Sequence, residues 1–303
     1  METVVVMMST YNGGKYLREQ IDSILQQKGV NVFLLVRDDD SDDNTVEILN
    51  DYANRHNNVS YYTGNNLKSC GSFLNLLKEA PVASYYAFSD QDDVWLENKL
   101  ITAVNMMKQE NATVPLLYYS NLMIVDENLS QKGMYFSEPL TLANKYSPLV
   151  ENTCTGCTMV FNKQLRDLII VDTEIGCTMH DAWINMVCSL FGKCIYDNDG
   201  YILYRQHGNN VIGSSVKTNK WHTLLSRIKR IFNRDLQPRL KNVTSLYKIY
   251  GDRLSKADLE KISLIVRYKK DWFSRLRLLA DKDLRPENTS KLRFAFHILL
   301  GTV

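Results

Sequence analysis

Over its first 110 residues the chain alternates strand-length apolar runs with helix-spaced apolar residues, and few folds accept that alternation. Val4–Met8 reads as a buried strand, after which Leu17, Ile21, Ile24 and Leu25 fall on one helical face. Val32–Val36 is a second strand, followed by a helix carrying Val46, Ile48, Leu49 and Tyr52. Val59–Tyr62 is a third, shorter strand. Phe73, Leu76, Leu77 and Ala80 then make a helical face that Pro81 ends. Tyr85–Phe88 is the fourth strand, and Leu96, Leu100, Ala103, Val104 and Met107 mark the helix after it. Strands alternating with helices imply parallel βαβ units and an open, doubly wound, mostly parallel α/β sheet flanked by helices. Ligands bind such sheets outside the carboxyl ends of the strands.

Polar clusters stand at those ends: Ser9-Thr10-Tyr11-Asn12 after the first strand, Asp38 to Asp43 after the second, and Asp90 to Asp93 after the fourth. Three clusters at one sheet edge are more specific than any one alone. The run Ser89-Asp90-Gln91-Asp92-Asp93 is the most telling, because three carboxylates closing a buried strand repel one another. A divalent cation relieves that repulsion, and Mg²⁺ or Mn²⁺ commonly bridges protein carboxylates to substrate phosphates. The plain alternative is an acidic turn. The loop Asp38–Thr45 is not a calcium loop: Asp43 stands where a glycine is needed and Leu49 where a bidentate glutamate is needed. Its first carboxylates can accept from the ring N–H of a pyrimidine, whereas Asp42, Asp43 or Asn44 fits a helix cap. Tyr11 is placed to stack on a nucleobase, or else is a partly buried core tyrosine.

From 115 to 205 the pattern is mixed. Leu116–Val125 and Cys157–Phe161 read as strands and Asp181 to about Leu190 as a helix. His180-Asp181-Ala182-Trp183 opens that helix after the loop Ile175-Gly176-Cys177-Thr178. A carboxylate there is stabilised as an anion, and it suits either a cap or a general base toward a hydroxyl. Tyr204-Arg205-Gln206-His207-Gly208-Asn209-Asn210 is dense in donors. Arg205 could meet phosphate oxygens and a neutral His207 could complete a metal shell.

The 303 residues suffice for one large α/β domain with an appendage. Met1-Glu2-Thr3 has no basic leader character, and no run approaches the roughly 20 apolar residues that span a bilayer. The expected location is cytoplasmic or peripheral to a membrane. Of six cysteines, Cys154 and Cys157 form one C-x-x-C without a partner pair, so buried free thiols are expected ahead of a zinc or redox role. The net charge of +2 hides a split: residues 217–303 carry +13 and residues 1–216 carry −11. The basic part reads as helical, with Trp221, Leu224, Leu225, Ile228, Ile231 and Phe232 among its cations and a second apolar stretch at Leu292–Leu300. Such a segment fits an anionic membrane surface ahead of nucleic acid, for which no motif is present. A solvated appendage or a homodimer interface is the alternative.

Taken together, these residues resemble glycosyltransferase family 2, the inverting nucleotide-sugar transferases of GT-A fold. The resemblance covers about residues 1–215 and rests on Met8–Gly14, Asp38-Asp39, the D-x-D element Asp90-Gln91-Asp92, Thr155-Gly156-Cys157 and His180-Asp181. The wording of Ser89–Trp95 and Tyr204–Asn210 is most similar to bacterial rhamnosyltransferases that build surface polysaccharide. The resemblance implies a catalytic domain over 1–216, with a nucleotide-sugar half to about 115 and an acceptor half beyond it, before the basic region 217–303. It implies that Thr10 and Tyr11 line the base pocket, Asp38 or Asp39 reads the base, and Asp90 contacts the ribose. Arg205 and, in place of the family's usual arginine, Lys68 would meet the nucleotide. Asp92 and His207 would ligate Mg²⁺ or Mn²⁺. Asp181 would be the catalytic base, and Gly156, Cys157, His180 and Trp183 would face a glycan or lipid-linked acceptor. The usual glycine after Asp39 is Asp40 here. The processive-synthase signature Q-x-x-R-W is absent, which favours one transfer per encounter.

A sugar nucleotidyltransferase is the rival enzyme class. It expects a glycine-rich basic phosphate loop after the first strand, where this chain has Ser9–Gly14 and only Lys15.

Overall fold

The structure is a computed structural model and describes residues 1–140, 142, 144–171, 179–207, 238–286 and 289–300. These residues form two compact units. The first comprises the described residues of 1–140, 154–172 and 179–205, and the second those of 141–153 and 206–303. The change of unit thus falls between Arg205 and Gln206. The expected helix around Trp221–Phe232, the loop Ile175–Thr178 and Gly208–Asn210 lie outside the described residues.

The first unit runs β1 (Thr3–Thr10), α1 (Leu17–Leu25), β2 (Asn31–Asp38), α2 (Thr45–Arg55), β3 (Val59–Thr63), α3 (Lys68–Glu79) and β4 (Tyr85–Ser89). It continues with β5 (Val94–Trp95), α4 (Lys99–Met107), β6 (Leu116–Val125), β7 (Gln131–Met134), β8 (Val160–Asn162), α5 (Lys163–Ile169), α6 (His180–Phe191) and β9 (Lys193–Arg205). The sheet order is β3-β2-β1-β4-β8-β6-β9-β5, with β7 beside β6. β1 to β4 are mutually parallel, β8 is antiparallel to both its neighbours, and β6 and β9 run parallel. β1 is the centre of the nucleotide half: Val4 to Met8 are almost fully buried because helices cover both faces, which is why the strand reads as a continuous apolar run. The order turns back between β1 and β4, so the ends Thr10, Asp38 and Ser89 open onto one crevice.

The strand the sequence conceals is β9. Asp197-Asn198-Asp199-Gly200 in its middle looks like a turn, yet the strand passes through it by a register shift against β6 at Ser120 and Asn121. In the second unit, α7 (Pro238–Tyr250), α8 (Lys256–Arg267), α9 (Trp272–Ala280) and α10 (Lys291–Leu300) follow in sequence. Ser255 and Asp258 form a reciprocal capping box at the start of α8. Asp258 also accepts from Lys145 Nζ at 2.6 Å and Tyr146 Oη at 3.0 Å, which ties the 144–153 segment to these helices.

Candidate active site

The three loops after β1, β2 and β3 are held to one another by side chain to backbone hydrogen bonds. Asn12 N–H donates to Ser41 Oγ (2.9 Å), Gly13 N–H to Thr45 Oγ1 (2.9 Å) and Gly14 N–H to Asp43 Oδ2 (3.0 Å). Asp43 also takes the Thr45 N–H at 2.9 Å, so among the three cap candidates Asp43 does this work and the Asn44 side chain caps nothing. A Cβ on Gly14 would come within 1.9 Å of Asn44 Oδ1, and one on Gly13 within 2.3 Å of Gln91 Oε1. A side chain at either position would displace the Asn44 or Gln91 side chain. Left-handed backbone recurs along this edge at Asn12 (φ 49°), Asp40 (φ 69°) and Lys68 (φ 60°). Strain of that kind collects at functional loops. It also explains Asp40: the position needs φ above zero, and aspartate tolerates it better than most residues.

Thr10 is buried and donates to Asp38 Oδ1 at 3.0 Å, which also takes the Ser41 hydroxyl at 2.6 Å. Asp39 is paired with Arg37 and accepts the Leu67 N–H at 3.1 Å, while Arg37 Nη2 donates to Asn65 O at 2.8 Å. The third loop lacks an arginine of its own, and a buried arginine from β2 supports it instead. Lys68 stands exposed at the start of α3. Tyr11 is 51% exposed, which removes the core-tyrosine reading and leaves a ring face open to stacking. Gln91, the middle residue of the D-x-D element, pins the Tyr11 backbone from both sides: its Oε1 accepts the Tyr11 N–H at 2.8 Å and its Nε2 donates to Tyr11 O at 3.1 Å.

Next to this edge lies the acidic centre. Asp90, Asp93 and Cys157 place ligand atoms within 4.8 Å of one another. Burial, then the charges of Asp92 and Asp181, push the Asp90 carboxyl up to about 7. Burial and the charges of Asp92 and Asp90 raise Asp93 well above the carboxylate range, although the Arg205 N–H donates to it at 3.1 Å. Asp93 Oδ2 has no hydrogen-bond partner among the described residues. An orphaned buried carboxylate oxygen among mutually repelling carboxylates is a donor set that fits a hard divalent cation. The sequence pointed to Asp92 and His207 as ligands. The structure adds Asp93 to the cluster and places His207 in the second unit. Lys99 lies beneath it, fully buried: its Nζ is 3.5 Å from the Trp95 ring centroid and lacks a hydrogen-bond partner among the described residues, and burial lowers its pKa to about 7.

Arg205 does not serve as expected. It is 2% exposed, and its donors go to protein: Nε to Asp92 O (2.9 Å), Nη1 to Glu127 O (2.5 Å) and Nη2 to Glu19 (2.5 Å). Its guanidinium also stacks over Tyr16 at 4.3 Å. The residue fixes the acidic loop from the end of β9 and has no fork left for a phosphate.

Asp181 occupies the first turn of α6, 7% exposed, and accepts the Ala182 N–H at 2.6 Å. Its charge reaches Asp90, so the topology brings two carboxylates 91 positions apart into one electrostatic site. The four residues expected to face an acceptor are instead buried: Gly156, Cys157, His180 and Trp183. The reason is that the first turn of α6 packs inward. His180 lies 4.1 Å from the Phe73 ring and 4.9 Å from Phe88, and a Cβ on Gly156 would meet its Nε2 at 2.5 Å. Neither ring nitrogen has a hydrogen-bond partner among the described residues, and burial lowers its pKa to about 3. Cys154 and Cys157 of the C-x-x-C are buried free thiols, as expected. Cys188 and Cys194 are free as well, whereas Cys70 is disulfide-bonded.

The sheet is mixed, with four parallel and four antiparallel strand pairs where the sequence suggested a mostly parallel one, and its acidic element after β4 and carboxylate in the first turn of α6 fit a GT-A glycosyltransferase architecture. The glycosyl transferase family 2 profile matches residues 5–169, and the chain belongs to that family. Among its relatives, the dTDP-rhamnosyl transferase RfbG of Shigella flexneri is 24% identical over 275 residues, covering 87% of this chain and 93% of that protein. The Escherichia coli enzyme WfgD, a UDP-Glc:α-D-GlcNAc-diphosphoundecaprenol β-1,3-glucosyltransferase, is 29% identical over 54% of this chain and 61% of its own. Residues 1–349 of S. aureus TarS, solved with UDP-GlcNAc, share the fold with a TM-score of 0.56 at 17% identity, over 100% of this chain and 89% of that one. The Pyrobaculum calidifontis mannosyltransferase PcManGT, solved with GDP-Man and Mn²⁺, gives 0.52 at 16% identity, over 98% and 74%.

Proposed function

We propose that the protein transfers L-rhamnose from dTDP-β-L-rhamnose to a hydroxyl of a lipid-linked or oligosaccharide acceptor, with inversion, in the assembly of a bacterial surface polysaccharide. What supports the transferase chemistry is that the charge of Asp181, in the first turn of α6, acts on Asp90 in the buried acidic cluster. The donor is supported by the rhamnosyl relative that matches along nearly its whole length, and the acceptor class by the diphosphoundecaprenol named for WfgD.

In this reading Thr10 and Tyr11 form the base pocket over the Asp38-Asp39 floor. Lys68 offers the nucleotide a point charge, and Asp90 meets the ribose. Asp92 and Asp93 are the side chains that would hold Mg²⁺ or Mn²⁺, which when bound would supply positive charge to the leaving diphosphate. Asp181 accepts the proton of the acceptor hydroxyl, whose oxygen forms a bond to the anomeric carbon. The bond from that carbon to the diphosphate breaks, and its electron pair leaves with dTDP. Attack opposite the leaving group turns a β donor into an α-L-rhamnoside. Arg205 and Gln91 act by holding the acidic loop and Tyr11 in place. No helix among the described residues is long and apolar enough to cross a membrane. The proposed setting is peripheral, at the cytoplasmic face where nucleotide sugars are consumed.

The test is nucleoside-diphosphate release from dTDP-rhamnose, UDP-glucose, UDP-GlcNAc and GDP-mannose, each with Mg²⁺, Mn²⁺ or chelator and with a lipid-linked glycan fraction present. Chelator-sensitive release from dTDP-rhamnose supports the reading. Release from another donor alone replaces the sugar, and diphosphate release from a nucleoside triphosphate would instead mark a nucleotidyltransferase.

A further inference from the structure

Two helices of the second unit carry exposed apolar side chains. On α9, Trp272, Phe273 and Leu276 fall within a 100° arc, as expected for positions i, i+1 and i+4. On α10, Leu292, Phe296 and Leu299 recur at i, i+4 and i+7, a single stripe. The six are between 45% and 86% exposed. The opposite faces are the packed ones: Leu278, Phe294 and Ile298 are buried, and Arg275 of α9 donates from Nη1 to the Leu299 carbonyl at 3.1 Å. The exposed stripes are therefore surplus to the packing among the described residues of this unit. Single exposed apolar residues need no explanation, but aligned stripes on neighbouring helices do.

The surroundings are cationic. Residues 267–293 include nine lysines and arginines against four acids, a net charge of +5. Lys270, Arg277, Lys291 and Arg293 are exposed beside the apolar residues. We propose that the α9–α10 face docks on an anionic lipid surface, with Phe273, Leu292 and Phe296 entering the interface between headgroups and acyl chains. Charge decides among occupants. A second copy of the chain would bring the same positive charge to the same face, whereas an anionic leaflet meets both the apolar stripes and their cationic flanks. This rests on the described helices alone and is independent of the donor assigned above.

The test is flotation of the full-length protein with phosphatidylcholine vesicles, with and without 30% phosphatidylglycerol. The expected result is co-flotation with the anionic vesicles alone, weakened by salt. Phe273→Ser/Leu292→Ser/Phe296→Ser should lower the partition coefficient about tenfold or more, since several apolar side chains lose their burial. Lys291→Glu/Arg293→Glu should lower it by a comparable factor through charge alone. All five positions are exposed, so the folded state should survive, and an unchanged melting temperature verifies this. Unchanged flotation in both variants overturns the proposal and moves any lipid binding elsewhere in the chain. A wild-type dimer in light scattering that becomes monomeric in the serine variant also overturns it, in favour of a self-association face.

Discussion

His180 allows a quantitative test of how the site is built. It is buried between Phe73, Phe88 and Gly156, with its pKa lowered from 6.5 to about 3. Its folded pKa lies below the unfolded one, so the unfolded chain binds more protons between those values. Stability is then lost as pH falls below 6.5 and stops falling near 3. Between pH 7 and pH 5 the loss from this one group is about 2 kcal/mol, because the unfolded imidazole gains nearly 1.5 pH units of protonation free energy that the folded one does not. Asp90 acts the other way. Its folded pKa of about 7 exceeds the unfolded value, so it contributes stability at low pH that is lost as pH rises through 7. Over the same interval that is again about 2 kcal/mol, and the two nearly cancel in the wild type. The informative quantity is the difference between the wild type and His180→Phe, which keeps an aromatic ring and removes the titration. Urea unfolding at pH 7 and pH 5 should show the variant gaining about 2 kcal/mol relative to wild type on acidification, roughly a 30-fold change in the unfolding constant. Parallel losses in the two proteins would mean that the imidazole reaches water or a partner, which refutes the buried, neutral His180.

Three further outcomes follow from the same geometry. Lys99→Met should raise stability at pH 7 by about 2 kcal/mol or more, since it removes a buried ammonium without an acceptor. Its folded pKa of about 7 lies below 10.5, so the gain should fade toward pH 10, and a pH-independent gain in urea unfolding would contradict the cause given. Asp40→Gly should be neutral or stabilising by about 0.5–1 kcal/mol and Asp40→Val destabilising by about 1–2 kcal/mol, because φ is +69° there. Equal melting temperatures for the two would exclude a left-handed Asp40. Metal-dependent nucleotide binding should weaken by about tenfold per pH unit below 7 as Asp90 takes up a proton, and isothermal titration between pH 5.5 and 8 would reveal a flat profile if Asp90 plays no part.

The sequence made the nucleotide half legible because β1, β2 and β4 are buried on both faces and their helices keep a clean apolar stripe. The polar loops at their ends could be placed on one edge by the βαβ rule alone. Long-range packing was not legible. Arg205 looked like a free phosphate ligand because nothing local shows that β9 carries it beneath Asp92, with Glu19 and Glu127 converging from α1 and the end of β6. His180 and Trp183 were expected on the acceptor side from the family resemblance, which carries no packing information, and the first turn of α6 faces Phe73 and Phe88. Asp93 and Lys99 were passed over for a similar reason. Asp93 is one carboxylate in a run of three, and Lys99 looks like an ordinary helix-surface lysine until Trp95 and Cys157 close over it. Their only sequence signal is the spacing of Asp93, Trp95 and Lys99 within seven residues.

The central claim is that Asp181 is the base of a metal-dependent transfer, and its most direct test compares turnover and donor binding in one variant. Nucleoside-diphosphate release with Mn²⁺ and acceptor would be measured for the wild type and Asp181→Asn, with donor affinity by calorimetry. The account predicts a fall in kcat of about 100- to 10,000-fold with donor affinity nearly unchanged. A variant that turns over at close to the wild-type rate would remove Asp181 from the chemistry and, with it, the mechanism proposed for this site.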